Sequence, residues 1–119
     1  MISGIVQKGE GKAGRYYGVP TANLRLEGEP GLLPGVYAGQ TTLPSGEVIA
    51  SVICYGAGRN VHGLKFEVHL IGLNQDLANA TLSVEVGEKI SQLMSFGDGE
   101  QMKKKIEADV AAAKRILGI

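Results

Sequence analysis

The sequence predicts a mainly β domain of about six antiparallel strands, closed into a barrel and followed by one helix at the end of the chain. Three observations carry that expectation. Leu64, Phe66, Val68 and Leu70 alternate with Lys65, Glu67 and His69, the period-2 signature of a strand with one packed face and one charged face. Short turns rich in glycine and proline separate the other β-rich runs. Only the last stretch changes to helical spacing, with Met102, Ile106, Val110, Ala113 and Leu117 on one stripe. Closing such a sheet removes the unpaired edges that an open one would expose.

In chain order, Ile2 to Gln7 is a short strand. The segment KGEGKAGRYYG then spends four glycines and three basic side chains on a long cationic loop. Val19 to Leu26 is extended and opened by Pro20, which has no ladder donor and biases its predecessor to extended geometry. EGEPGLLPG is turn chemistry, and VYAGQTTL and EVIASVICY form a hairpin around Pro44-Ser45-Gly46. GAGRNVHG is a second glycine-rich connection, leading into LKFEVHLIG, and Leu82, Val84 and Val86 repeat the alternation. The helix covers EQMKKKIEADVAAAKRIL. Asp98 and Gln101 have capping-box spacing before it, Lys114 and Arg115 complement its carboxyl end, and Gly118 stops it.

Composition bounds the rest. The chain's 119 residues fit a single domain, 1–119, and 44% hydrophobic residues supply a core. Twelve basic residues balance twelve acidic ones, so no positive field favours a nucleic acid backbone. Aromatics are 5% with no Trp, leaving Tyr16 and Tyr17 as the chief candidates for a base-stacking platform. No apolar run is long enough for a membrane span and the N-terminus lacks signal-peptide character, so the expectation is a cytoplasmic protein. A lone cysteine, Cys54, excludes an internal disulfide and reads as a small core residue. A monomer is expected.

Two features carry candidate chemistry. The loop from Lys8 to Gly18 combines glycines, whose backbone N–H groups can approach an anion closely, with Lys8, Lys12 and Arg15; it reads either as a phosphate cradle or as plain turn. It lacks the GxxxxGK[ST] pattern and opens no helix. Next stands Gly18-Val19-Pro20-Thr21-Ala22-Asn23-Leu24. Thr21 and Asn23, two residues apart on an extended segment, point to one side with hard oxygen donors suited to Mg²⁺; the plain alternative is that they satisfy turn hydrogen bonds.

The run GKAGRYYGVPTANL resembles the signature of the riboflavin kinase family. The resemblance continues through LLPGVYAG, the strand FEVHLIG and the ending LMSFGDGEQMKKKIEADVAAAKRIL, in the family's order and over essentially the whole chain. It is similar to the carboxyl-terminal half of bifunctional bacterial flavokinase and FAD synthetase, without the adenylyltransferase half. The resemblance implies a six-stranded antiparallel Greek-key barrel with a terminal helix, and transfer of the ATP phosphate to the ribityl 5′-hydroxyl of riboflavin to give FMN and ADP, with Mg²⁺ or another divalent cation. By the same resemblance, Thr21 and Asn23 match the positions that contact metal and phosphate, and Glu67 matches the strand glutamate assigned as catalytic base. Gly9, Gly11, Lys12, Gly14 and Arg15 fall on the nucleotide-covering loop, and Pro20 belongs to the nucleotide-binding motif. On the residues alone, Glu67 is either a carboxylate placed to take a hydroxyl proton or an ordinary surface glutamate.

The chain departs from the family pattern at three places. Ile90 and Ser91 stand where a Leu-Arg pair is usual, Arg59 and Asn60 where Pro-Thr is common, and Ala78 and Asn79 where Tyr-Gly is common. Lys89 and Arg59 are the candidates to replace the charge missing at Ser91. Two functions follow: a kinase with Glu67 as base, and a non-catalytic barrel that holds flavin or nucleotide. Retention of Thr21, Asn23 and Glu67 together favours the kinase.

Overall fold

The computed structural model describes residues 1–7, 21–60, 63–73, 75, 77–93 and 99–119. Six strands, β1 (Ile2–Gln7), β2 (Thr21–Leu26), β3 (Gly35–Thr42), β4 (Val48–Asn60), β5 (Gly63–Leu70) and β6 (Thr81–Ser91), precede one helix, α1 (Gly99–Leu117). All pairings are antiparallel, and the sheet closes in the order β1-β2-β5-β4-β3-β6. The expected barrel with a terminal helix is therefore present.

Strand alternation fills the interior. Ala22 and Leu24 of β2, Ile53 and Tyr55 of β4, Phe66, Val68 and Leu70 of β5, and Leu82 and Val84 of β6 meet Val6, Tyr37 and Leu43 in one buried cluster. Each fully buried Leu, Ile, Val or Phe side chain stabilises the fold by about 1.5–3 kcal/mol relative to exposure. The polar atoms inside are matched. Ser51 donates from Oγ to the Ile49 carbonyl at 2.9 Å, so the 2.8 Å contact between Thr41 Oγ1 and Ser51 Oγ is donated by Thr41.

The Pro44-Ser45-Gly46 hairpin forms as expected, with Gly46 at φ +92° donating to the Leu43 carbonyl at 2.9 Å. The connection expected over 56–63 is a correction: β4 continues to Asn60 and β5 resumes at Gly63. Gly56, at φ +97°, sits where the β4–β5 register shifts between Tyr55 and Arg59, so glycine here bends a continuing strand instead of ending it. Asn79 takes φ 68°, a conformation that asparagine tolerates where a glycine is common in the resembled family.

Outside the barrel, Val36, Ala38 and Val52 form a second cluster with Ala113 of α1, joined by Val110 and Leu117. Val110, Ala113 and Leu117 of the apolar stripe read from the sequence are thus laid on the outer faces of β3 and β4. The helix ends as predicted: Gly118 at φ +74° donates to Arg115 at 3.3 Å, and Ile119 donates to Lys114 at 2.9 Å, a paired closing motif. Asp98 and the Met102 side chain lie outside what the structure describes. No helix among the described residues is long and apolar enough to cross a membrane.

Candidate active site

Because Ala22 and Leu24 point inward, Thr21 and Asn23 point outward, and the same alternation turns Glu67 and His69 outward on β5. The ladders set these side chains side by side. Thr21 pairs with His69 and Asn23 with Glu67 across β2–β5, while Glu67 pairs with Cys54 and His69 with Val52 across β4–β5. One outward row therefore runs Gln7, Asn23, Glu67, Cys54, Val36, Ser91 around the barrel. Residues 44 positions apart in sequence, Asn23 and Glu67, are direct cross-strand neighbours.

This face is no solvated charged face. His69 is 4% exposed, and Asn23 and Glu67 are half-buried. The outward face of β5 thus carries Lys65 and Glu67 half-buried and His69 buried. His69 Nδ1 lies 2.7 Å from Thr21 Oγ1. Burial pushes the His69 pKa down from 6.5 to about 4, against the opposing pull of the Asp109 carboxylate, so the ring is neutral at neutral pH. Beside it, burial and then the negative charges of Glu67 and Asp109 push the Cys54 thiol up to about 12. Cys54 is thus an inert thiol in the half-apolar floor next to Glu67, as its reading as a core residue implies.

Ser91 takes part in a network that was not legible in the sequence. Lys105 of α1 donates from Nζ to Ser91 Oγ at 2.8 Å and to Asp109 Oδ2 at 2.6 Å, and Ser91 donates to Asp109 Oδ1 at 2.9 Å. Among the described residues Lys105 is the cation hydrogen-bonded to Ser91, while the aliphatic chain of Lys89 lies over Gly35. The i,i+4 spacing of Lys105 and Asp109 was a readable signal of a helical ion pair, but nothing in it said that the pair would turn inward.

Of the candidate residues, Thr21, Asn23 and Glu67 come together on one patch. Gly9, Gly11, Lys12, Gly14, Arg15 and Pro20 lie outside the described residues, as do the side chains of Arg59 and Asn60. Among the described residues no group of three His, Cys, Asp or Glu is placed to hold a metal ion. Thr21 and Asn23 each carry a hard oxygen donor of the kind Mg²⁺ takes alongside phosphate and water oxygens. A cavity of about 680 Å³ opens at the other end of β2, lined by Arg25, Leu26, Glu27, Pro30, Tyr55 and Leu64 among others, and includes none of these three residues.

The family model for riboflavin kinase (flavokinase) matches residues 1–117. The chain belongs to the riboflavin kinase family. Within curated proteins, the bifunctional riboflavin kinase/FMN adenylyltransferase of Haemophilus influenzae is 37% identical over 105 residues, covering 87% of this chain and 34% of that protein. The chain thus spans about a third of the length of the curated relatives it matches. Among solved structures, a macrolide-efflux protein from Streptococcus pneumoniae superposes with TM-score 0.83 at 26% identity, over 95% of this chain and 38% of that one. Riboflavin kinase from Trypanosoma brucei shares the fold at TM-score 0.65 and 20% identity, over 98% of this chain and 78% of that one.

Proposed function

We propose that this chain transfers the γ-phosphoryl group of ATP to the ribityl 5′-hydroxyl of riboflavin, giving FMN and ADP. The observation that carries the reading is the β2–β5 register, which sets two neutral oxygen donors, Thr21 and Asn23, beside the carboxylate Glu67 in a half-buried patch of a riboflavin kinase family barrel.

Phosphoryl transfer asks chiefly for positioning and charge neutralisation. Thr21 Oγ1 and the Asn23 side-chain oxygen would hold the divalent cation, which would supply positive charge against the phosphates. Glu67 accepts the proton of the ribityl hydroxyl as its oxygen forms the bond to the γ-phosphorus and the bond to the bridging oxygen breaks, releasing ADP. A half-buried carboxylate does this better than a fully solvated one, since fewer waters compete for it. The loop residues Gly9, Gly11, Lys12, Gly14 and Arg15, with Pro20, cover the nucleotide in this reading. Residues 1–119 act as one riboflavin kinase domain in this reading, as a monomer in the cytoplasm with riboflavin and ATP as partners and no nucleic acid or membrane.

The test is direct: purified protein with riboflavin, ATP and MgCl₂, with FMN followed by chromatography. FMN formation that requires all three additions is expected. Flavin binding without FMN would leave a flavin-holding barrel in place of a kinase.

A further inference from the structure

His69 has no part in the steps above, yet it touches one of the residues that carry them. It stands opposite Thr21 across one ladder and opposite Val52 across the other, is 4% exposed, and brings Nδ1 to 2.7 Å from Thr21 Oγ1. A hydroxyl has one proton and two lone pairs, so an oxygen that faces a cation must send its proton elsewhere. An uncharged imidazole offers one bare nitrogen for that purpose. The contact comes from within the protein, on the ladder side of Thr21, where no water or ligand has to supply the acceptor.

We propose that His69 is a positioning residue whose Nδ1 accepts the Thr21 hydroxyl proton, so that Thr21 Oγ1 presents its lone pairs to the divalent cation. The ring is then the Nε2–H tautomer. The inference rests on the kinase reading only through the assignment of Thr21 to the cation, and requires no turnover to be tested.

The probe is Mn²⁺ binding to the protein with ADP, read from the electron paramagnetic resonance signal of free Mn²⁺. Thr21→Val and His69→Leu are each expected to weaken Mn²⁺ by about 10-fold or more, the usual effect of losing a ligand's supporting hydrogen bond. Thr21→Val combined with His69→Leu should be no weaker than Thr21→Val alone, because His69 acts through that hydroxyl. His69→Asn, whose Oδ1 takes the place of Nδ1, should stay within about threefold of the parent, whereas His69→Gln, whose amide reaches the Nε2 position, should resemble His69→Leu. The glutamine variant also carries the comparison if leucine unfolds the barrel. Parent-like Mn²⁺ binding by both His69→Leu and His69→Gln, with Thr21→Val weakened, overturns this inference alone. Additive losses in the double variant overturn it too. Parent-like binding by Thr21→Val overturns the cation assignment and the inference with it.

Discussion

Glu67 has a different neighbour across each ladder, Asn23 on β2 and Cys54 on β4, and its charge is felt by the Cys54 thiol. Glu67→Gln keeps shape and burial but cannot take a proton. It should lower kcat by about 10² or more with little change in nucleotide affinity, as measured by steady-state kinetics and ADP titration. Wild-type turnover would remove Glu67 from the role of base. His69 makes a prediction on folding. Its pKa is 6.5 when free and about 4 in the barrel, so between those values the unfolded chain binds a proton that the folded chain refuses. Stability is therefore complete above about pH 6.5 and falls by about 3 kcal/mol on the way to pH 4. Urea midpoints from pH 7 to 4 should show this fall for the parent and a smaller one for His69→Asn; parallel curves would contradict it.

At the scale of the element, α1 combines two kinds of adhesion on one face. Ala113 and Val110 close on Val36, Ala38 and Val52, while Lys105 and Asp109 turn a helical ion pair inward onto Ser91. With side chains only 14% and 10% exposed, that pair is screened little by water. Lys105→Met leaves the Asp109 carboxylate buried without its cation and should cost about 3 kcal/mol, while adding Asp109→Leu should return most of the loss. Urea unfolding of the two variants checks this, and equal stability of Lys105→Met and parent would show the pair to be inconsequential. Lys105 of α1 stands beside position 91 and pairs with the Asp109 carboxylate there.

For the whole molecule, closure depends on how tightly β3 and β6 approach. At Gly39 an added Cβ would stand 2.5 Å from the Glu85 carbonyl oxygen and 2.5 Å from Ile53 Cδ1. The first of these is backbone and cannot swing aside, and it lies where the β3–β6 register shifts. Gly39→Ala should destabilise the barrel by about 1–3 kcal/mol, seen as a lower urea midpoint with an unchanged slope. No change would mean that the seam opens freely.

Read alone, the sequence already determined the strands with clean alternation, the single helix with its closing glycine, and the identity of Thr21, Asn23 and Glu67 as candidates, because period, turn chemistry and motif are local properties of the chain. It placed a connection at 56–63 because Gly56 and its neighbours have turn composition, and only the β4–β5 pairing decided that they bend a strand. It took His69 for a residue on a charged face because alternation reports which side a residue is on, and not what covers that side. Tertiary structure decided the rest: strand order brought Asn23 to Glu67 and Thr21 to His69, packing buried His69, and the docking of α1 carried Lys105 to Ser91. Each of these depends on which strands neighbour one another around a closed barrel, and contacts between residues dozens of positions apart leave no local pattern in the chain.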